Sequence, residues 1–325
     1  MKKILITGTS GFIAQSLCKT LSKSGRPVRG AARSINSLSA NTDIEHVSVG
    51  DISLKKNWKD TLVDVDCVIH CAGRTHVMNE TKTDTLKIYR SVNVDGTKQL
   101  AEQAAKAEVK RLIFLSSIKV NGESTNIDND IISNNQKKNI FTNNDIPNPE
   151  DSYAISKLEA EKVLWEISAK TNLEVVVVRL PLVYGYGVKG NMARLMKLIN
   201  SGIPLPFSLI KNQRSLIGID NLVDVLIRCV DHPEASGKTF LVSDGEDLST
   251  PDLLRHVASS MERSTRLFPF PISLLKLFGF AIGKSSEINR LTNSLQVDIS
   301  FTRKILNWSP PLTVQEGIRR MVPYN

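Results

Sequence analysis

The first residues of the chain combine a short apolar run with a glycine-rich turn. Lys2 to Thr7 (KKILIT) has the length and composition of a buried strand, and a helical pattern of apolar residues begins just after Gly8 and Gly11. Further strands are predicted at 27–32, 46–49, 67–70, 111–115 and 174–179, with helices at 94–107 and 152–169. This alternation predicts an α/β fold, a doubly wound parallel sheet with helices on both faces.

The alternation becomes less regular after about residue 180, where prolines cluster at 204 and 206, at 269 and 271, and at 310 and 311. We therefore predict a sheet domain over 1–180, completed by about 216–245. Residues 181–215 and 246–325 are expected to form a smaller C-terminal α/β region that binds the substrate. The asparagine-rich stretch 121–144 is predicted to be a loop.

Composition narrows the class of protein. The chain has 325 residues and a net charge of +9, which suits an anionic ligand such as a nucleotide, but no Lys/Arg block predicts nucleic-acid binding. The four cysteines have no zinc-like spacing, so neither a metal site nor a disulfide framework is predicted. The N-terminus runs directly into a strand without a signal peptide, and we expect a cytoplasmic protein.

One segment, 267–283, is strongly apolar but short for a membrane span, and it carries two prolines and a lysine. We predict a buried or groove-lining helix and no stable membrane insertion, with peripheral membrane contact as the alternative.

The glycine turn predicts a dinucleotide site of the Rossmann type. Gly8 allows the turn to tighten, Gly11 allows a pyrophosphate to approach backbone N–H groups at the helix start, and Ala14 permits close packing of helix on strand. The alternative is a glycine turn that binds nothing, but a strand before it and a helix after it favour the dinucleotide.

The end of the second predicted strand bears on which dinucleotide binds. The sequence Val28 to Ser34 (VRGAARS) has no acidic residue to bind a ribose 2′-hydroxyl, which an NAD site usually supplies. Arg33 could instead bind a 2′-phosphate with Ser34 as a hydrogen-bond donor, or it could be a solvated surface arginine. We predict NADP(H), with NAD(H) as the alternative.

Tyr153 and Lys157 are four residues apart in a predicted helix, so both side chains leave the same face. A nearby cation stabilises phenolate and is expected to lower the pKa of the tyrosine. Such a tyrosine can exchange a proton with a sugar hydroxyl or ketone. Alone, the spacing also fits an ordinary amphipathic helix.

Together with these features, several further motifs follow in order: VGDI at 49–52, IHCAG at 69–73, NVDGT at 93–97, SSIKVNG at 116–122, YAISK at 153–157, RLPLVYG at 179–185, RSLIGID at 214–220 and LNWSP at 306–310. Over nearly its whole length the chain resembles the extended short-chain dehydrogenase/reductase family. The resemblance is strongest to the nucleotide-sugar 4-epimerase and 4-ketoreductase branch of the NAD-dependent epimerase/dehydratases. One departure is Leu182 or Val183, where the family has asparagine.

The resemblance assigns roles to individual residues. The catalytic residues that it implies are Ser117, Tyr153 and Lys157. The cofactor-binding residues are Gly8, Ser10, Gly11, Phe12, Ile13, Arg33, Ser34, Asp51, Ile52, Ala72, Gly73, Asn93, Tyr153, Lys157 and Pro181. The substrate-binding residues are Ser117, Tyr153, Asn191 and Arg214, the last as a clamp on the diphosphate. The alternatives without a functional role are that Ser117 ends a strand, Asn191 caps a helix and Arg214 lies on the surface. His70 is expected to be a hydrogen-bonded core histidine.

The implied activity is hydride transfer at C4 of a UDP-linked sugar. The missing acid favours NADPH-dependent reduction of a UDP-4-keto-6-deoxy-N-acetylhexosamine for surface-polysaccharide (lipopolysaccharide O-antigen) synthesis. The alternative is a UDP-hexose 4-epimerase with tightly bound NAD, acting on UDP-glucose or UDP-N-acetylglucosamine. A dehydratase is disfavoured because Ile118 and Lys119 replace its acidic pair, and a non-catalytic NADP-binding regulator is a further alternative. The family also implies a homodimer joined by a four-helix bundle of 94–107 and 152–169.

Overall fold

The computed structural model describes residues 3–34, 44–53, 56–75, 85–125 and 140–322. The strands in these ranges are β1 Lys3–Thr7, β2 Val28–Ala32, β3 Glu45–Ser48, β4 Val65–His70, β5 Arg111–Ser117, β6 Glu174–Leu180, β7 Leu182–Tyr184, β8 Arg214–Gly218, β9 Lys238–Leu241 and β10 Asp247–Leu248. The helices are α1 Phe12–Lys23, α2 Thr85–Tyr89, α3 Gly96–Lys106, α4 Ser152–Lys170, α5 Asn191–Asn200, α6 Ile219–Asp231, α7 Thr250–Ser260, α8 Ile272–Ala281, α9 Ser285–Thr292, α10 Ser300–Leu306 and α11 Val314–Met321.

A seven-stranded parallel sheet forms the centre of the molecule, in the order β3-β2-β1-β4-β5-β6-β9. The order reverses direction between β1 and β4, so a crevice opens at the carboxyl ends of these two strands. The predicted α/β class and doubly wound parallel sheet are confirmed.

Apolar clusters cover both faces of the sheet, which is why its central strands read as continuous runs of Val, Ile and Leu. One cluster packs α1 and α6 against the sheet, and the other packs α3 and α4 against the opposite face. A third cluster joins α5, α7 and α11 beside a small sheet of order β10-β8-β7. Packing on the sheet holds α4 next to the end of β5. Helix α4 begins at Ser152, one residue before Tyr153.

The start of α4 is fixed by a side-chain cap. The Asp151 carboxylate accepts a hydrogen bond of 2.7 Å from the backbone N–H of Ala154. A cap of this kind satisfies one of the otherwise unpaired N–H groups of the first turn. Tyr153 therefore lies in a fixed first turn rather than in a fraying helix end.

The prediction for 267–283 is wrong in one respect. The segment does contain a helix, α8, but only Leu275 and Gly279 of that helix are buried. Ile272 is half-buried against the C-terminal core, whereas Leu274, Leu277, Phe278 and Phe280 are exposed. None of the helices in the described ranges has the length and apolar character needed to cross a bilayer.

Candidate active site

The glycine turn after β1 sits where three strands end. Gly8 has a φ of +74°, and a Cβ there would lie 2.9 Å from the backbone N and Cα of Ala72, at the end of β4. Its backbone N–H donates to the carbonyl of Ala31 in β2, at 2.8 Å. Only glycine meets both the left-handed backbone and this close approach, so the turn lies tightly against the crevice.

The start of α1 opens into the same crevice. Gly11 precedes the helix and makes no side-chain cap, and a Cβ on it would come within 3.0 Å of the carbonyl oxygen of Gly8. The first N–H groups of the helix are thus left for an anion such as a pyrophosphate. The predicted contact residues Ser10, Phe12 and Ile13 belong to this turn and first helical residues.

The adenosine end of the predicted cofactor cleft is exposed. Arg33 forms an ion pair with Asp51 at 3.0 Å, and the two side chains are 80% and 83% exposed. Asp51 is the residue that the family resemblance assigns to adenine, so the two predicted contacts lie side by side. Ser34 is the last described residue before a gap at 35–43, and the half-buried Ile52 follows Asp51. A 2′-phosphate role for Arg33 stays a prediction.

The nicotinamide end is enclosed. The structure brings Ser117 and Tyr153 within hydrogen-bond reach of each other, and Lys157 is buried behind them. The Lys157 ammonium donates to the carbonyl of Leu115 at 2.8 Å and lies 4.4 Å from the ring centre of Phe114. These contacts hold the three predicted catalytic side chains at the carboxyl end of β5.

The pKa of Tyr153 differs from the sequence-based expectation. Burial, with the charge of Asp151 and the nearby Tyr89, raises the pKa of Tyr153 above its usual value, and the hydrogen bond from Ser117 opposes this only in part. The Lys157 ammonium lies 6.0 Å from the Tyr153 ring centre and does not offset the effect of burial on the pKa. In the ligand-free chain, therefore, the predicted lowering of the tyrosine pKa is wrong.

Lys157 is itself perturbed. Burial lowers the pKa of Lys157 to about 8, although the carboxylate of Glu161 acts in the opposite direction. The ammonium is retained near neutral pH at a cost in desolvation, which is the pattern of a functional rather than a structural lysine.

Asn93 and Gly73 prepare the space beside Lys157. The Asn93 side chain accepts from the N–H of Arg74 at 2.7 Å and donates to the carbonyl of Arg74 at 3.1 Å and to the hydroxyl of Ser156 at 3.0 Å. It therefore joins the loop after β4 to α4. A Cβ on Gly73 would lie 3.3 Å from the Lys157 nitrogen, so glycine keeps that volume open.

His70 is a buried, hydrogen-bonded residue, as the sequence indicates. Its Nδ1 is 2.7 Å from the hydroxyl of Thr7, and its Nε2 is 3.0 Å from the hydroxyl of Thr97. Thr7 also accepts from the N–H of Ala72 at 3.1 Å. Burial and the charge of Lys157 lower the pKa of His70 to about 3, so it is neutral and fixes the ends of β1 and β4.

A buried ion pair behind the catalytic helix was not found from sequence. Arg179 of β6 binds Glu161 of α4 at 2.7 Å, with 8% and 2% of the side chains exposed. Glu161 also accepts from the hydroxyl of Ser116, and Arg179 donates to Asn121 at 2.9 Å. The only sequence signal was one acidic and one basic residue in otherwise apolar surroundings. Charged residues are seldom buried at such positions without an oppositely charged partner.

Ile118 and Lys119 stand at the two positions where a dehydratase of this family is expected to carry an acidic pair. Ile118 is buried in the core. Lys119 forms ion pairs with Glu123 at 2.6 Å and with Asp151 at 2.7 Å. The lysine therefore supports the cap of the catalytic helix, and the two positions supply no acidic pair.

Arg214, the predicted diphosphate clamp, belongs to the small three-stranded sheet. Arg214, at the start of β8, donates to the carbonyls of Arg290 and Asn293 at 2.9 and 3.2 Å. Burial and the charge of Arg290 lower the pKa of Arg214, and no described carboxylate lies within ion-pair distance of it. Glu123 acts on the pKa of Arg214 in the opposite direction but forms no ion pair with it, and the positive charge of the two arginines suits a diphosphate.

The two other predicted positions are defined by their place in the chain. Asn191 is the first residue of α5, and its predicted contact with the sugar stays a prediction. Pro181 is buried between β6 and β7. The nearby Tyr184, which belongs to the same motif, donates to Asp244 at 2.7 Å and is a core residue.

Known proteins resemble the chain over almost all of it. A UDP-glucose 4-epimerase from Vibrio cholerae is 45% identical over 322 residues, which cover 98% of this chain and 94% of that protein. A 4-epimerase from Escherichia coli O157:H7, named for N-acetyl-α-D-glucosaminyl-diphospho-undecaprenol, is 23% identical over 99% of this chain and 94% of its own length. A UDP-glucuronic acid 4-epimerase from Bacillus cereus, solved with UDP-glucuronic acid and NAD, superposes with a TM-score of 0.77 at 22% identity, over 98% of this chain and 97% of that one.

The model of the NAD dependent epimerase/dehydratase family matches residues 4–243, from β1 to just beyond β9. The matched range contains the glycine turn and the three residues at the end of β5 and on α4. The chain is an enzyme of the NAD dependent epimerase/dehydratase family, of the type that acts on nucleotide-sugars.

Proposed function

We propose that the chain is a UDP-hexose 4-epimerase that keeps NAD bound between its two half-reactions. The observation that carries the proposal is the enclosed group of Ser117, Tyr153 and Lys157 beside the glycine turn. The Vibrio cholerae relative, at 45% identity, supports epimerisation over the reduction expected from the sequence.

The residues of the crevice fit a dinucleotide. The uncapped start of α1 and the glycine at position 11 suit a pyrophosphate, and Gly73 leaves space beside the Lys157 ammonium, where a ribose would lie. When bound, NAD would supply a hydride acceptor at C4 of its nicotinamide and, in its oxidised form, a positive charge near the Tyr153 phenol.

The chain's own residues handle the proton. Tyr153 takes the proton of the sugar 4-hydroxyl as the C4 hydrogen leaves as hydride, and it returns that proton after the hydride has come back to the opposite face of the 4-keto sugar. The Ser117 hydroxyl donates to the sugar oxygen while it carries negative charge. The Lys157 ammonium orients the cofactor ribose and stabilises the phenolate.

The UDP group of the substrate is proposed to bind at the predicted substrate residues of the C-terminal region. Arg214 and the neighbouring Arg290 provide the positive charge for a UDP diphosphate. Asn191, the first residue of α5, is proposed from the family resemblance to contact the nucleotide-sugar. The epimerase that superposes on this chain was solved with a UDP-sugar, which supports UDP as the nucleotide.

One observation favours a second candidate, the NADPH-dependent reduction of a UDP-4-keto-6-deoxy-N-acetylhexosamine in surface-polysaccharide synthesis. The end of β2 carries Arg33 and Ser34 and no acid. The pairing of Arg33 with Asp51 weakens this argument, because the guanidinium already has an anionic partner. A non-catalytic regulator is disfavoured because it would need none of the three residues at the nicotinamide end.

The experiment that separates the candidates begins with the purified protein. Any bound cofactor is released by denaturation and identified, and interconversion of UDP-glucose and UDP-galactose, and of their N-acetyl forms, is followed without added cofactor. We expect retained NAD and interconversion. NADPH consumption with a 4-keto UDP-sugar, together with no interconversion, would establish the reductase instead.

The assembly and location are also proposed from the family. A dimer would join α3 and α4 of two subunits into a four-helix bundle, in a cytoplasmic enzyme. Measuring the mass in solution, before and after a charge is placed on the outer face of α4, tests the dimer.

A further inference from the structure

An apolar surface on α8 has no role in the site described above. It consists of large apolar side chains that are each 40–77% exposed. We call these side chains, together with the basic residues nearest to them, the α8 surface. The apolar residues of the α8 surface are Phe268, Leu274, Leu277, Phe278, Phe280 and Ile282. Exposed apolar side chains are ordinary when scattered, but a contiguous group of this kind marks an interaction site.

The α8 surface is continuous rather than a chance collection. The ring of Phe270 lies 6.4 Å from Phe268 on one side and 6.4 Å from Phe278 on the other. The segment around Leu205 extends the apolar area. The N–H of Phe268 donates to the carbonyl of Leu205, and the exposed Ile203 and Leu209 flank Leu205 in the chain.

The inner side of α8 is fixed, so the exposed residues cannot turn inward. Leu275 is buried in the C-terminal core, and Gly279 lies against α9 so closely that a Cβ on it would be 2.6 Å from Ile288. The outer residues are thus presented on a rigid helix.

The charges between Glu262 and Glu287, the range that includes α8, are all positive. From Arg263 to Ser286 the sequence contains Arg263, Arg266, Lys276 and Lys284 and no acidic residue. All four cations are exposed, and of the two acidic residues that border the stretch, Glu287 interacts electrostatically with Lys284. The neighbouring stretch 200–219 also lacks acids.

From this pattern we infer that the α8 surface docks the enzyme reversibly on an anionic phospholipid membrane. The projecting Phe and Leu side chains enter the boundary between headgroups and acyl chains, as interfacial helices do. Lys276 in the middle of α8 and Lys284 just beyond its end extend to the phosphates. The four cations that lie among the exposed apolar side chains match lipid phosphates, and we therefore favour an anionic membrane over a protein partner.

The first test uses the full-length protein and lipid vesicles. Co-sedimentation is measured with vesicles of phosphatidylcholine alone and with equimolar phosphatidylcholine and phosphatidylglycerol. We expect binding to the anionic vesicles only, and its loss as salt shortens the Debye length from about 10 Å at 0.1 M to about 3 Å at 1 M. No binding to the anionic vesicles would overturn the proposal.

Matched variants locate the contact. Leu277→Ser combined with Phe280→Ser should lower vesicle affinity at least about tenfold, since burial of one such side chain is worth about 1.5–3 kcal/mol. Ile146→Ser is the control, because Ile146 is 88% exposed and lies outside the α8 surface. Lys276→Glu with Lys284→Glu should also abolish binding, whereas Lys170→Glu with Lys304→Glu, which makes the same change in net charge, should retain it.

All these positions are exposed, so thermal melting and cofactor content should match the wild type. Equal vesicle binding by the Leu277/Phe280 variant and the wild type would contradict the proposal. A loss of self-association in that variant, with vesicle binding unchanged, would assign the α8 surface to a contact between copies instead.

Discussion

The two ends of the predicted cofactor cleft are built in opposite ways. At the nicotinamide end Ser117 and Lys157 are buried and held by hydrogen bonds to the strands and helix around them. At the adenosine end Arg33 and Asp51 meet in a solvated ion pair. The difference teaches that the proposed catalytic residues belong to a buried, hydrogen-bonded structure, whereas the residues predicted to set cofactor preference are exposed charges that contribute little individually.

The strongest test of this contrast removes the proton carrier. Tyr153→Phe should lower turnover by about 10²–10⁴-fold, the usual contribution of a positioned acid–base group, because the variant loses the phenol that exchanges the proton. The cofactor content of the purified variant should remain near that of the wild type. Turnover is measured by UDP-sugar interconversion, and activity within a few-fold of the wild type would remove Tyr153 from the mechanism.

The second test uses Lys157→Met, which should lower activity about 100-fold or more and yet stabilise the ligand-free protein. The native pKa of about 8 lies below the ordinary value of about 10.4. Between these values the unfolded state binds more protons, so wild-type stability rises with pH through this window, and below it the full penalty of the buried charge applies.

At neutral pH the methionine variant should therefore gain on the order of 3 kcal/mol in the free energy of unfolding, and its stability should no longer rise between pH 8 and pH 10. Urea unfolding at several pH values measures both. Lys162→Met, an exposed position on the same helix, is the control and should leave stability within about 0.5 kcal/mol of the wild type. A destabilised Lys157→Met would show that the ammonium is a structural group.

The smallest effect is expected at the exposed end. Arg33→Ala removes an ion pair worth about 0–1 kcal/mol, so stability and NAD retention should change little. If Arg33 instead binds a 2′-phosphate, NADPH affinity should fall about tenfold or more while NAD binding is unchanged. Titration of both cofactors against the variant distinguishes these outcomes and thereby tests whether the adenosine end is as permissive as it looks.

The same contrast explains what could be predicted from sequence. The strands and the glycine turn were predictable because a buried parallel strand requires an apolar run, and Gly8 occupies a position that no side chain could. The three catalytic candidates were found by motif, and the structure brings them together. Each of these features is encoded within a few consecutive residues.

The features that were missed depend on residues far apart in the chain. The Arg33–Asp51 pair and the Arg179–Glu161 pair each join two separate elements. The direction of the Tyr153 pKa depends on burial, which residue spacing does not report. The exposure of α8 was also missed, because a helix that is apolar on all sides reads as a buried one until its neighbours are known.

The contact between Gly279 and Ile288 has a thermodynamic consequence. Because α8 is already folded and packed on α9, a ligand that covers its outer face does not have to order a flexible segment. Conformational entropy is lost only from a few side chains, so modest contacts can suffice for association that reverses easily. Since the carbonyls of Arg290 in α9 and of Asn293 just after it bind Arg214, the same preformed helix pair also orders the residue that we predict to bind the diphosphate.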